Sequence, residues 1–192
     1  MRRGFKTQCE SISSEVRAEI GLDMNAPLDP RQLAQHLEIP IHPLSTLEGA
    51  HVKEAICHIN SEERSIVSAL TIFPNWPSRQ RIIIYNDFHS LARQNSDVSH
   101  ELSHGLLLHE PRHAIINGCR DYNKTEEDEA AWLSGCLLVP RDAAVQIAKT
   151  QKPLSDAAEA FGVSLDMMMW RINSTGAQRQ ADAARARRQS RR

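Results

Sequence analysis

Apolar residues recur along this chain with two different periods. Between residues 90 and 109, Leu91, Val98, Leu102 and Leu106 fall at spacings of 7, 4 and 4, which predicts a long helix with a buried stripe, ended by Pro111. Ahead of it, residues 52–59, 65–73 and 81–85 are rich in β-branched side chains. Pro74-Asn75-Trp76-Pro77-Ser78 separates the last two as a loop, so a small antiparallel sheet is expected. Nearer the N-terminus, residues 11–20 read as a short helix closed by Gly21. Asp29-Pro30 then pairs an N-cap with proline at the first helical position, opening a helix whose Leu33, His36 and Leu37 share a face. On the C-terminal side, Thr125-Glu126-Glu127-Asp128 resembles a capping box with Asp in place of the usual Glu or Gln, and the helix it opens runs to Val139 before Pro140. A short helix over residues 141–149 follows, and then a tight pair, residues 155–161 and 164–173, around Gly162. Helices flanking a compact set of strands make an α+β fold, and no internal repeat is visible.

Composition narrows this picture. The 192 residues are 41% apolar and 24% charged, which fits one globular domain with an appendage and excludes a chain disordered throughout. The longest apolar runs fall far short of the roughly 18 residues of a membrane span, so no membrane association is expected. The basic start, Met1-Arg2-Arg3-Gly4-Phe5-Lys6, leads into Thr7-Gln8-Cys9-Glu10-Ser11 and not into the apolar stretch of a secretory signal. Cys9, Cys57, Cys119 and Cys136 form no C-x-x-C pair, which reads as reduced thiols in a cytoplasmic protein. The net charge of −1 hides a division: residues 173–192 carry six arginines against Asp182, or +5, leaving −6 on residues 1–172. The expected organisation is a flexible N-terminus (1–10), a main folded body (11–150), a helix-turn-helix-like appendage (151–176) and a disordered or loosely helical Arg-rich tail (177–192).

The chemistry concentrates in His100-Glu101-Leu102-Ser103-His104, an H-E-x-x-H pattern that this composition yields by accident about 0.03 times per chain. Residues four apart stack on one helix face, so both imidazoles can reach one metal ion, while Glu101 is turned about 100° from His100 and stands beside that ion as a general base. A hydrolytic zinc site takes three protein ligands and a water. The third ligand is expected from the acidic start of the next helix, Glu126-Glu127-Asp128-Glu129. Leu133, Cys136 and Leu137 mark that helix's buried side, and one turn before Leu133 lies Glu129; Glu126, a further turn back, is the alternative. Glu127 and Asp128 read as acids favoured by the positive end of a helix.

These residues resemble a known family. His100 to His109 (HELSHGLLLH), Arg93-Gln94 ahead of it, and Glu129 to Pro140 (EAAWLSGCLLVP) are similar to the ImmA/IrrE metallo-endopeptidases, whose pattern runs close to RQ…HELGHLLLH and then E-A-x-x-F-A-A-x-L-L-M-P. A weaker likeness covers residues 11–176, including the closing A-x-x-F-G-V-S-x-x-x-M-x-x-R segment from Ala157 to Arg171. The resemblance implies a zincin-like core, zinc on His100, His104 and Glu129, Glu101 as base, and a protein substrate of the helix-turn-helix repressor type in a stress or mobile-element response. This chain departs from the pattern at Ser103, Trp132-Leu133-Ser134-Gly135 and Val139, none of which is a ligand or the base.

In such a site Glu101 takes a proton from the attacking water and passes it to the leaving amine. Tyr122, His109 and His113 are candidates for oxyanion support, His109 fitting equally as a helix-end histidine favoured by the dipole. Residues 81–85 offer an edge to which an extended substrate could add as a strand. Two other readings compete. The pair at 155–173 has helix-turn-helix spacing with Arg171 and Asn173 as groove readers, which would make a DNA-binding regulator; alternatively, the metal site serves a sensor without turnover. The tail by itself is expected to give at most weak, nonspecific contact with nucleic acid.

Overall fold

A computed structural model of the chain describes residues 1–49, 68–74, 80–110, 123–150 and 152–189. The chain divides into two compact units, one formed by Asp29–Ala131 and the other by Met1–Leu28 with Trp132–Arg192. Among the described residues no helix is long and apolar enough to cross a membrane.

Helix α1 (Phe5–Glu19) belongs to the other unit; in the Asp29–Ala131 unit α2 (Pro30–His36) opens as expected, the Asp29 carboxylate accepting from the Arg31 amide at 2.9 Å. Strand β1 (Ile41–Pro43) leads into a 3-10 turn, and β2 (Ala69–Ile72) and β3 (Ile82–Tyr85) complete a sheet of order β1-β3-β2. β2 and β3 pair antiparallel, Ala69 opposite Tyr85 and Ile72 opposite Ile82, as the sequence predicts. β1 joins on the other side in parallel, so the sheet is mixed. β3 is therefore central and paired along both sides, so residues 81–85 do not form the anticipated edge; among the described residues β1 and β2 are the outer strands. Residues 52–59, 65–67 and 75–78 lie outside the described residues.

Helix α3 (Leu91–Leu106) packs on β2, β3 and α2. Its buried face is Asn95, Val98, Ser99, Leu102 and Ser103, whereas Leu91 is 61% exposed and lies off the stripe. Ser103, where the family pattern has glycine, is buried without cost to its hydroxyl, which donates to the Ser99 carbonyl at 2.7 Å. Gln94 holds the approach to α3: its Nε2 donates to the carbonyls of Asp87 (3.1 Å) and His89 (2.8 Å), and its Oε1 accepts from Arg31 at 2.7 Å. The first turns of α4 (Lys124–Leu138) belong to this unit, and its remainder to the other.

The second unit is helical: α1 (Phe5–Glu19), the end of α4, α5 (Arg141–Thr150), α6 (Leu154–Ala160), α7 (Leu165–Thr175) and α8 (Ala177–Gln189). Helix α1 begins at Phe5, and Phe5 and Cys9 are buried, so the anticipated boundary at residue 10 falls inside a packed element. Two fully buried arginines tie the chain ends to the last turn of α4. Arg17 donates to the Leu137 carbonyl (2.8 Å) and to those of Asp23 (3.0 Å) and Ala26 (2.8 Å). Arg171 donates to the Val139 carbonyl (2.7 Å) and pairs with Glu10 (2.6 Å). Both satisfy carbonyls at the negative end of a helix. In α7 the Ser164 hydroxyl caps by accepting from the Met167 amide, and Met168 and Ile172 are buried. Helix α8 packs on α5 and α7 through buried Ala177 and Ala181, and Arg185 donates to the Ala148 carbonyl at 3.0 Å, so residues 177–189 form a docked helix in place of a free arm.

Gly135 explains the departure at 132–135. The Trp170 ring lies so close to the Gly135 Cα that a β-carbon there would overlap it, and Trp132 meets Trp170 edge to face with centroids 5.0 Å apart. A tryptophan pair is thus seated beside a glycine in the segment that departs from the pattern.

Candidate metal centre

The 3.6-residue period sets His100 and His104 on one side of α3, and their Nε2 atoms lie 3.1 Å apart. Glu127, in the first turns of α4, reaches both: one carboxylate oxygen is 3.1 Å from His100 Nε2 and the other 3.7 Å from His104 Nε2. One donor atom from each of the three fits within 4.8 Å. Two imidazoles and one carboxylate, half-buried and convergent from two helices, are donors of the kind that a hydrolytic zinc site uses. Burial, followed by repulsion from the neighbouring His100 and His109, pushes the His104 pKa down to about 3 from 6.5. At neutral pH its ring is therefore uncharged and able to donate a lone pair.

Glu101 stands beside this cluster with its Oε2 accepting a short hydrogen bond from Thr71 Oγ1 of β2. The strand thereby fixes one oxygen of the candidate base.

At the end of α3, Leu108 adopts a left-handed conformation (φ 55) and the chain folds back, the His109 amide donating to the His104 carbonyl at 3.0 Å. This brings His109 Nδ1 within 2.9 Å of His104 Nδ1. His109 Nε2 faces Glu129 Oε2 at 3.6 Å.

His100, Glu101 and His104 thus stand together as the motif requires. The third acid that the structure brings to the two histidines is Glu127; Glu129, the expected ligand, lies against His109 instead. Glu126 acts on His104 through its charge. The reason lies in the two halves of α4: Leu133, Cys136 and Leu137 are buried in the helical unit, so extending their stripe backward does not report which side of residues 124–131 faces α3. No local signal in the sequence separates Glu127 from its neighbours: Ala130, three residues on, shares its face and is fully buried, but Ala131 stands beside it and the burial is a fact of the fold. His109 is turned to His104 and Glu129, which leaves it no free nitrogen for an oxyanion, and Tyr122 and His113 lie outside the described residues. Arg171, the foremost proposed groove reader, is fully buried in its pair with Glu10.

The sequence profile of a peptidase family, described as the IrrE N-terminal-like domain, matches residues 61–173. No curated protein and no solved structure matches the chain. The profile spans more than half of the chain and takes in the whole of α3 and α4, so the protein belongs to the IrrE N-terminal-like peptidase family.

Proposed function

We propose that this chain is a zinc-dependent endopeptidase that holds its metal through His100, His104 and Glu127 and uses Glu101 as general base. The observation that carries the reading is the convergence of three donor atoms within 4.8 Å, next to a carboxylate that is not itself among them. A zinc ion held there supplies Lewis acidity to a water and to the scissile carbonyl. Glu101, anchored through Oε2 on Thr71, receives the water's proton on Oε1 and returns it to the departing amine. Among the described residues β2 is paired only with β3, and its Thr71 reaches the base. An extended peptide adding antiparallel along β2 would carry its backbone past Glu101. The substrate we favour is a repressor protein of the helix-turn-helix type, with the chain acting as a regulator by proteolysis in the cytoplasm.

Metal analysis and one substitution test the reading. The purified protein should hold about one zinc per chain, lose it on His100→Ala or His104→Ala, and keep it in Glu101→Gln while cleavage disappears. Retention of zinc by both histidine variants would sink the proposal. Glu127→Gln and Glu129→Gln, compared side by side, decide the third donor: the first should release the metal and the second should retain it.

A further inference from the structure

We propose that His109 and Glu129 form a positioning relay behind His104, one that fixes the tautomer and orientation of that ligand; the inference rests on the metal-site reading above. The two Nδ1 atoms of His104 and His109 are 2.9 Å apart, a distance that requires one to carry a proton and the other a lone pair. His104 turns its Nε2 toward His100 and Glu127, so that nitrogen must stay unprotonated to ligate. The His104 proton then resides on Nδ1 and is donated to His109. His109, accepting at Nδ1, carries its own proton on Nε2, the atom that faces the Glu129 carboxylate at 3.6 Å. The His104–His109 hydrogen bond thus fixes both rings, and the Glu129 carboxylate on a second helix faces the far nitrogen of His109 at ion-pair distance. The His109 side chain is only 9% exposed and that of Glu129 17% exposed, which keeps water from competing for these contacts. The chain pays for the arrangement with a leucine held at φ 55, a position ordinarily given to glycine, because only that turn brings His109 back onto His104.

A hydrogen-bonded partner on the far nitrogen of a ligating histidine raises the ligand's basicity and fixes its ring, and its removal weakens metal binding by about 10- to 100-fold. The test uses the full chain and two readouts. Zinc affinity is measured by competition with a chromophoric chelator, and the tautomers of His104 and His109 are read from long-range proton–nitrogen NMR spectra of the zinc-loaded protein at neutral pH. His109→Ala should bind zinc about 10- to 100-fold more weakly with unchanged stoichiometry. Glu129→Gln should weaken it less, and the double variant should be no weaker than His109→Ala alone. His109→Gln restores an acceptor opposite His104 Nδ1 and should recover part of the affinity, which a purely structural role for the ring does not predict. In the zinc-loaded wild type the proton should sit on His104 Nδ1 and on His109 Nε2, with the His104–His109 hydrogen bond lost in His109→Ala. The relay is overturned by wild-type zinc affinity in both single variants, by the opposite tautomers, or by loss of stoichiometric zinc in Glu129→Gln, which would make Glu129 a ligand. If the wild type binds no zinc, the metal reading fails and the relay with it, whereas zinc binding with unchanged affinity in both variants overturns the relay alone.

Discussion

At the scale of single residues, the site depends on an imidazole kept neutral. In the unfolded chain His104 takes up a proton near 6.5, whereas in the folded protein it does so only near 3. As pH falls from above 6.5 toward 3 the unfolded state therefore binds the proton first, and the stability present above 6.5 is progressively lost. Urea unfolding of the metal-free protein in chelator should show a midpoint that drops between pH 7 and pH 4, and His104→Ala should flatten the drop; a wild-type midpoint independent of pH would contradict it. Thr71→Val removes the donor on Glu101 and should lower kcat while leaving zinc content unchanged, with Thr71→Ser restoring it. His100, Glu101 and His104 were legible in the sequence because their relation is set by the period of one helix. The approach of Glu127 to those histidines was not, because which acid of residues 126–129 faces α3 is a tertiary fact.

Among the elements, the helices were read more accurately than the strands. A three-residue strand such as β1 has no period to detect, and its parallel pairing with β3 joins residues some forty positions apart. The start of α1 at Phe5 and the docking of α8 were missed for a similar reason: Phe5, Cys9, Ala177 and Ala181 are isolated small or apolar residues whose burial depends on distant helices. Packing within α4 gives a sharp expectation. Gly135→Ala should gain about 1 kcal/mol in helix propensity but lose about 1–3 kcal/mol by forcing the Trp170 ring aside, for a net fall in melting temperature. A net rise would show that the ring has room to move. At the end of α3, Leu108 is 67% exposed and strained by its left-handed backbone. Leu108→Asn should therefore stabilise the protein by up to about 1 kcal/mol in chemical denaturation, with zinc affinity unchanged.

For the molecule as a whole, the α+β class followed from the order of patterns along the chain, but its partition did not. The residues read as N-terminal arm, appendage and tail all belong to one helical unit, held by contacts between opposite ends of the chain such as the Ser13 hydroxyl on the Cys136 carbonyl at 2.7 Å. Linear reading cannot see a unit assembled from two termini. The same closure bears on the DNA-binding alternative, because Arg171 is spent internally on Glu10 and Val139. Arg171→Ala leaves the Glu10 carboxylate without its partner and should cost about 3–5 kcal/mol of stability, read by thermal or chemical unfolding. A variant as stable as the wild type would mean that this arginine is free for other work.

The left-handed turn at Leu108 also changes how the spacing of this motif should be counted. His104 and His109 are five residues apart, and in an uninterrupted helix they would point about 140° away from each other. Ending the helix at Leu106 and reversing the chain turns that mismatch into contact. Lengthening α3 by a single turn would leave every residue of the H-E-x-x-H pattern in place and still separate the two rings, so the point at which the helix stops is as much a part of this site as the residues it carries.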